Sequence, residues 1–171
     1  MDALDLLEEH HREVLVLLDG VASEARPGAR AKLTAALVRH VEVHLSAEAR
    51  HLYAVCAERL AGREHQPQLR DAWETHALVR FAAGNLLQTR ATDVRFASRL
   101  KLLRCTFVDH ARTEEASLFQ RAKTELTDEQ LDAIGERIAR SCELARDDAA
   151  DRDVIRGRGR RTRRRSGRST A

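Results

Sequence analysis

Apolar residues recur at helical spacing along most of the chain. Leu4, Leu7, His11, Val14, Leu18 and Val21 step by three and four, the period of one helix face. The Arg26-Pro27-Gly28 turn closes this first helix. A second stripe runs through Leu33, Leu37, Val41, His44, Glu48, Leu52 and Val55 and stops near the segment from Gly62 to Pro67. The third is Ala72, His76, Val79, Ala83 and Leu86, ending between Thr89 and Thr92. The fourth is Phe96, Leu100, Leu103, Phe107, His110, Glu114 and Leu118, with Thr92-Asp93 offering an N-cap. A fifth helix starts at Thr127, where Thr127 and Gln130 fit a capping box, and carries Leu131, Ile134, Ile138 and Cys142. No stretch alternates as a half-buried strand does, so the predicted fold class is all-α, with the fifth helix packed outside a four-helix core.

Composition agrees with the pattern. In 171 residues, 43% apolar and 33% charged, only two prolines and eight glycines interrupt the helices. No run of about 18 apolar residues is present, so no membrane contact is predicted, and a cytoplasmic location is the expectation. Cys56, Cys105 and Cys142 are odd in number and irregularly spaced. They are predicted to be reduced core residues, not a disulfide framework or a zinc knuckle.

Charge is uneven. Residues 156–171 hold eight arginines, no acidic residue and no apolar side chain larger than alanine, a composition that cannot bury a core and predicts disorder. Without those eight, 22 basic residues face all 27 acidic ones, so the helical body carries about −5 although the whole chain carries +3. The chain divides into residues 1–125 as the four-helix bundle, 126–150 as the additional packing helix and 151–171 as the disordered arginine-rich tail.

The stripes carry the chemistry. His44-Leu45-Ser46-Ala47-Glu48 and His110-Ala111-Arg112-Thr113-Glu114 are the same word, 66 residues apart, and Leu52-Tyr53 and Leu118-Phe119 follow at matching offsets. Positions four apart share a helix face, so each word aims an imidazole and a carboxylate at one point. One such pair is more often a surface hydrogen bond than a metal site. Two in register, joined by His11 and His76 on the other two stripes, reverse that balance. Buried carboxylates need a counter-charge, and no lysine or arginine lies in the stripes to supply it. A pair of metal ions would, and imidazole with carboxylate favours iron or manganese without excluding zinc. His10 and His65 lie off any stripe and His40 and His51 at stripe edges, so these four are expected to be exposed or to stand beside the ligands. Tyr53, nine residues past His44, falls about half a turn from the metal face of an ideal helix and reads as packing.

The order of His11, His44 with Glu48, His76, and His110 with Glu114, over Met1 to about Lys123, resembles the hemerythrin-like HHE cation-binding family. The resemblance implies an up-down four-helix bundle around two non-haem iron ions, oxo- or hydroxo-bridged. It also implies bridging roles for Glu48 and Glu114 and terminal roles for His11, His44, His76 and His110. The chain departs from oxygen-carrying members at the third helix, where the positions one turn either side of His76 are Ala72 and Arg80. One ion is then short of a nitrogen ligand: the position is open, or His40, His51, Glu74, Glu115 or Tyr53 fills it. The expected function is binding, sensing or reacting with dioxygen, peroxide or nitric oxide, with peroxide-consuming or oxygen-dependent activity as the enzymatic form. The alternative is an iron-binding or structural bundle without redox chemistry, held to a polyanion by its tail.

The tail yields a test. If it anchors the protein to nucleic acid, the full chain binds DNA weakly at low salt, without sequence preference, and loses most of that binding between about 50 and 200 mM salt. Deletion of residues 156–171 should abolish the gel shift while leaving iron content and thermal stability unchanged. No shift by the full chain at low salt would make the tail a solubilising extension.

Overall fold

A computed structural model describes residues 1–59 and 66–145. The predicted tail, His65 and the end of the additional helix lie outside them. Helix α1 spans Ala3–Ser23 and α2 Pro27–Ala47. A π-helical segment, π1, follows at Glu48–Tyr53 and leads into α3, Ala54–Arg59. Helix α4 is Gln66–Leu87 and α5 is Phe96–Thr113. A second π-helical segment, π2, covers Glu114–Leu118 and continues into α6, Phe119–Glu125. The additional helix, α7, is described over residues 128–145. Among the described residues there is no strand, and no helix is long and apolar enough to cross a membrane.

The ends of these elements follow from local chemistry. Asp2 caps α1 by accepting the backbone N–H groups of Leu4 and Asp5 at 2.8 and 2.9 Å, which satisfies donors with no intrahelical partner. Pro27 stands at the start of α2, where its missing N–H costs nothing. The Thr127–Gln130 capping box forms, the Thr127 N–H donating to Gln130 Oε1 at 3.0 Å and the Gln130 N–H to Thr127 Oγ1 at 3.3 Å. The predicted Thr92-Asp93 cap does not. Helix α5 begins later, after Arg95, with no side-chain cap, and Asp93 instead accepts the Arg95 N–H at 2.8 Å inside the preceding turn.

Four helical rods form a ring, α1 against α2, α2 against α4, α4 against α5 and α5 against α1, as an up-down bundle requires. The core is two apolar clusters. One joins Val14, Leu18, Leu37, Val41, Val79, Leu86, Leu100, Leu103 and Phe107. The other joins Leu4, Leu7, Leu52, Tyr53, Cys56, Leu118 and Phe119 to Leu131, Ile134, Ile138 and Cys142 of α7. Helix α7 thus uses its predicted apolar stripe to close one end of the bundle. The cysteines are free, Cys56 and Cys142 buried as predicted, but Cys105 is exposed because it lies off the stripe of α5 that faces inward.

Past each glutamate the core pattern slips by one residue. An uninterrupted α-helix puts Leu52 and Val55 inside, whereas Cys56 is buried and Val55 only partly so. One residue added to a helical turn rotates everything after it by about 100°. Both π segments begin at the glutamate of a repeated word, and the buried residues that follow (Leu52, Tyr53, Cys56; Leu118, Phe119, Ala122) keep identical offsets. The repeat therefore exists in the backbone as well as in the sequence.

Helix α7 approaches the N-terminus closely at Gly135, where a Cβ would sit 2.7 Å from the Met1 carbonyl oxygen and 3.0 Å from the Ala3 nitrogen. Gly135→Ala should destabilise the protein by about 1–3 kcal/mol, because backbone cannot yield as a side chain can. At Gly84 nothing lies within 4 Å of such a Cβ, so Gly84→Ala in α4 should be neutral or stabilising by up to about 1 kcal/mol. Urea melts of the two variants check the contrast, and equal midpoints would mean that α7 is not packed as described.

Candidate metal centre

Between the two apolar clusters the bundle buries a polar cluster. His11 comes from α1, His44 from the last turn of α2, Glu48 from π1, His76 from α4, His110 from the last turn of α5 and Glu114 from π2. All six are buried, Glu48 completely. Each occupies the inward position that the stripes predict.

The four imidazoles turn Nε2 toward the two carboxylates. Glu48 Oε1 lies 3.6 Å from His11 and 3.3 Å from His44, and Oε2 lies 3.1 Å from His76 and 3.6 Å from His110. Glu114 Oε2 stands 3.7 Å from His11 and 3.6 Å from His110, and its Oε1 is 3.9 Å from His76. The nitrogens of His44 and His110 face each other at 3.4 Å. Ligands held about 2.0–2.2 Å from one ion are separated by about 2.8–3.6 Å when their bonds diverge at about 90–110°. The spacing here is close to that of atoms grouped around ions, and His11 Nε2, both oxygens of Glu48 and Glu114 Oε2 have no hydrogen-bond partner. Since buried polar atoms are normally paired, four such atoms in one buried layer among the imidazoles fit bound cations.

The candidate ligands form two overlapping groups, His11, His44, Glu48 and His110, and Glu48, His76, His110 and Glu114. Glu48 and His110 belong to both. Glu48 turns one oxygen toward His11 and His44 and the other toward His76 and His110.

Electrostatics separates the two carboxyls. Burial pushes Glu48 up, but the surrounding imidazoles, His44 foremost, prevail and hold it well below the usual range. Glu114 is driven well above it by burial and by the neighbouring Glu48. Burial alone would lower His11, yet its contacts with Glu114 and Glu48 carry it up to about 10. His44 is held well below its ordinary value by burial, and His110 falls for the same reason to about 4. The side chains by themselves thus keep one ionised carboxylate against one imidazolium, with the imidazoles of His44 and His110 held neutral.

Surrounding groups orient this set. Glu115 accepts a hydrogen bond from His11 Nδ1 at 2.7 Å, the arrangement that fixes a ligating ring and raises its basicity. Phe107 stands edge-on to His11 and His110 at 5.8 and 5.5 Å and tilted to His44 at 5.7 Å, and Phe119 lies parallel to the His11 ring at 5.9 Å. His10, expected to be either exposed or beside the ligands, stands beside them. It is buried, with its ring edge-on to His44 at 6.0 Å and to His40 at 5.9 Å, because the ring of a residue beside His11 still falls in the α1–α2 seam.

Of the residues named for the missing third-helix ligand, most are engaged elsewhere. His40 pairs with Glu13 at 3.0 Å, His51 with Ser141 at 2.8 Å and Glu115 with His11, while Glu74 is exposed. Arg80, one turn past His76, binds Glu42. Tyr53 reaches the cluster: its hydroxyl lies 2.7 Å from His76 Nε2 and donates to Glu114 Oε1. Placing Tyr53 half a turn away holds only for an unbroken α-helix, and the π segment carries it round. Unusual i→i+5 spacing leaves no mark in residue composition, but the matching Leu52-Tyr53 and Leu118-Phe119 offsets were its trace.

Comparison with known proteins agrees with this architecture. The profile of the hemerythrin HHE cation-binding domain matches residues 2–122. The crystal structure of a hemerythrin HHE cation-binding domain-containing protein from Mycobacterium kansasii superposes with a TM-score of 0.74 at 21% identity, over 88% of this chain and 90% of that one. No curated protein sequence matches the chain. With a buried His/Glu cluster inside an all-helical bundle, and with the family profile covering the bundle almost entirely, the chain belongs to the hemerythrin HHE cation-binding domain family.

Proposed function

We propose that the chain is a non-haem diiron protein whose iron pair binds, senses or reacts with dioxygen, peroxide or nitric oxide. The observation that carries this reading is the pair of overlapping ligand groups that share Glu48 and His110. One ion would take His11 and His44, the other His76 and Glu114. Glu48, with an oxygen toward each half, would serve both, and Glu114 would bridge as well, since its two oxygens face His11 and His76. Such a pair supplies redox capacity and an exchangeable position for a small ligand. The chain's own residues hold the ligands in register, keep His44 and His110 neutral and exclude bulk water with Phe107 and Phe119. Burial within the bundle favours small diatomic or peroxide ligands over larger substrates.

Iron analysis after anaerobic ferrous reconstitution should give about two ions per chain. Glu48→Ala should lower that number by one or more, since it removes an oxygen from each half, and His40→Ala should leave it unchanged. One ion or none in the unaltered protein would defeat the dinuclear reading, and equal retention by both variants would defeat the role of Glu48. Stopped-flow mixing of the diferrous protein with dioxygen, peroxide and nitric oxide should change its spectrum with at least one. No change with any of them would favour an iron-binding bundle without redox chemistry.

Metal affinity should depend on pH with a definite sign. His11 and Glu114 are both shifted upward, so at neutral pH the metal-free cluster holds protons that an entering ion must displace. Affinity therefore climbs as pH rises, by about tenfold per pH unit for each proton displaced. Chelator competition at pH 6.5 and 7.5, on the order of one unit apart, should show it, and a flat response would mean that these groups bind no proton in the metal-free state.

A further inference from the structure

We propose that Tyr53 is a phenolate ligand to the ion in the half of the centre formed by His76 and Glu114, an inference that rests on the dinuclear reading above. Tyr53 is the chain's one tyrosine and is completely buried. Its oxygen lies against two atoms that face the cluster, Nε2 of His76 at 2.7 Å and Oε1 of Glu114, to which it donates. His76 Nε2 in turn stands 3.1 Å from Glu48 Oε2. An ion drawn in by His76, Glu48 and Glu114 has the tyrosine oxygen at its edge.

The two halves of the duplicated centre differ at just this place. Helix α1 and the two repeated words give the first group three imidazoles, His11, His44 and His110, with Glu48. The second group has two, His76 and His110, with two carboxylates. The residue matching Tyr53 in the other repeat is Phe119, which lies parallel to the His11 ring and offers no oxygen. The phenol is thus supplied to the half that lacks a nitrogen, and the one-residue slip in π1 aims it there. On binding, the phenolic O–H bond breaks as the oxygen–metal bond forms, the proton leaves to solvent and no oxidation state changes. A hard anionic oxygen suits ferric iron better than a neutral imidazole does.

The test uses full-length protein loaded with iron and oxidised in air. Phenolate bound to ferric iron gives an intense charge-transfer band in the visible and enhanced phenolate modes in resonance Raman, whereas an imidazole–carboxylate iron pair absorbs only weakly there and has no phenolate modes. The loaded wild-type protein should show both, and Tyr53→Phe should lose both while retaining most of its iron. Two irons per chain without the band would overturn this inference alone, and so would a band that survives Tyr53→Phe. Absence of iron after reconstitution would overturn it together with the reading it rests on. Because no other tyrosine exists, the wild-type spectrum decides the question even if the variant does not fold.

Discussion

The structure depends on the cost of placing two carboxylates and four imidazoles where water cannot reach them. Each ion taken from water into a protein interior is penalised by several kcal/mol unless it is matched there. Among the described residues no lysine or arginine is buried to match Glu48 and Glu114. Without metal, proton sharing offsets part of the charge: Glu48 stays ionised, His11 is held charged beside it, and Glu114 is pushed toward its neutral form. That arrangement limits the charge and still leaves several buried polar atoms without hydrogen bonds, among them His11 Nε2, both Glu48 oxygens and Glu114 Oε2. The apolar clusters on either side hold this polar layer open by fixing the helices that carry it.

Duplication explains how one short word produces two overlapping groups of candidate ligands. A histidine and a glutamate one turn apart define half a coordination sphere, and the second copy approaches from across the bundle. In each copy the glutamate opens a π-helical segment, a backbone feature common at functional sites. The extra residue brings the ninth position after the histidine into the layer around the metal. There the copies diverge, tyrosine in one and phenylalanine in the other, so a nearly symmetric scaffold encloses an asymmetric site.

Helix α7 lies beyond the segment that matches the family profile, yet it belongs to the same folded body. Its apolar stripe covers the cluster that contains Tyr53 and Phe119, and its Ser141 pairs with His51 of π1. The end of the bundle nearest the tyrosine is therefore shielded by an element outside the segment that the family profile matches.

The hydrophobic period determined the helices, and the inward positions of His11, His44, Glu48, His76, His110 and Glu114 followed because each sits in phase with leucines and valines that must be buried. The repeated words determined that the site is double. Tertiary structure alone decided what depends on a change of phase or on a neighbouring element. The burial of Cys56 in place of Val55, the arrival of Tyr53 at His76 and the burial of His10 are of that kind. Periodicity assumes a constant 100° per residue, and a π segment breaks that assumption without altering composition. His10 shows the other limit: a ring beside a stripe is buried or exposed according to how closely the next helix packs, which the α1 sequence does not contain.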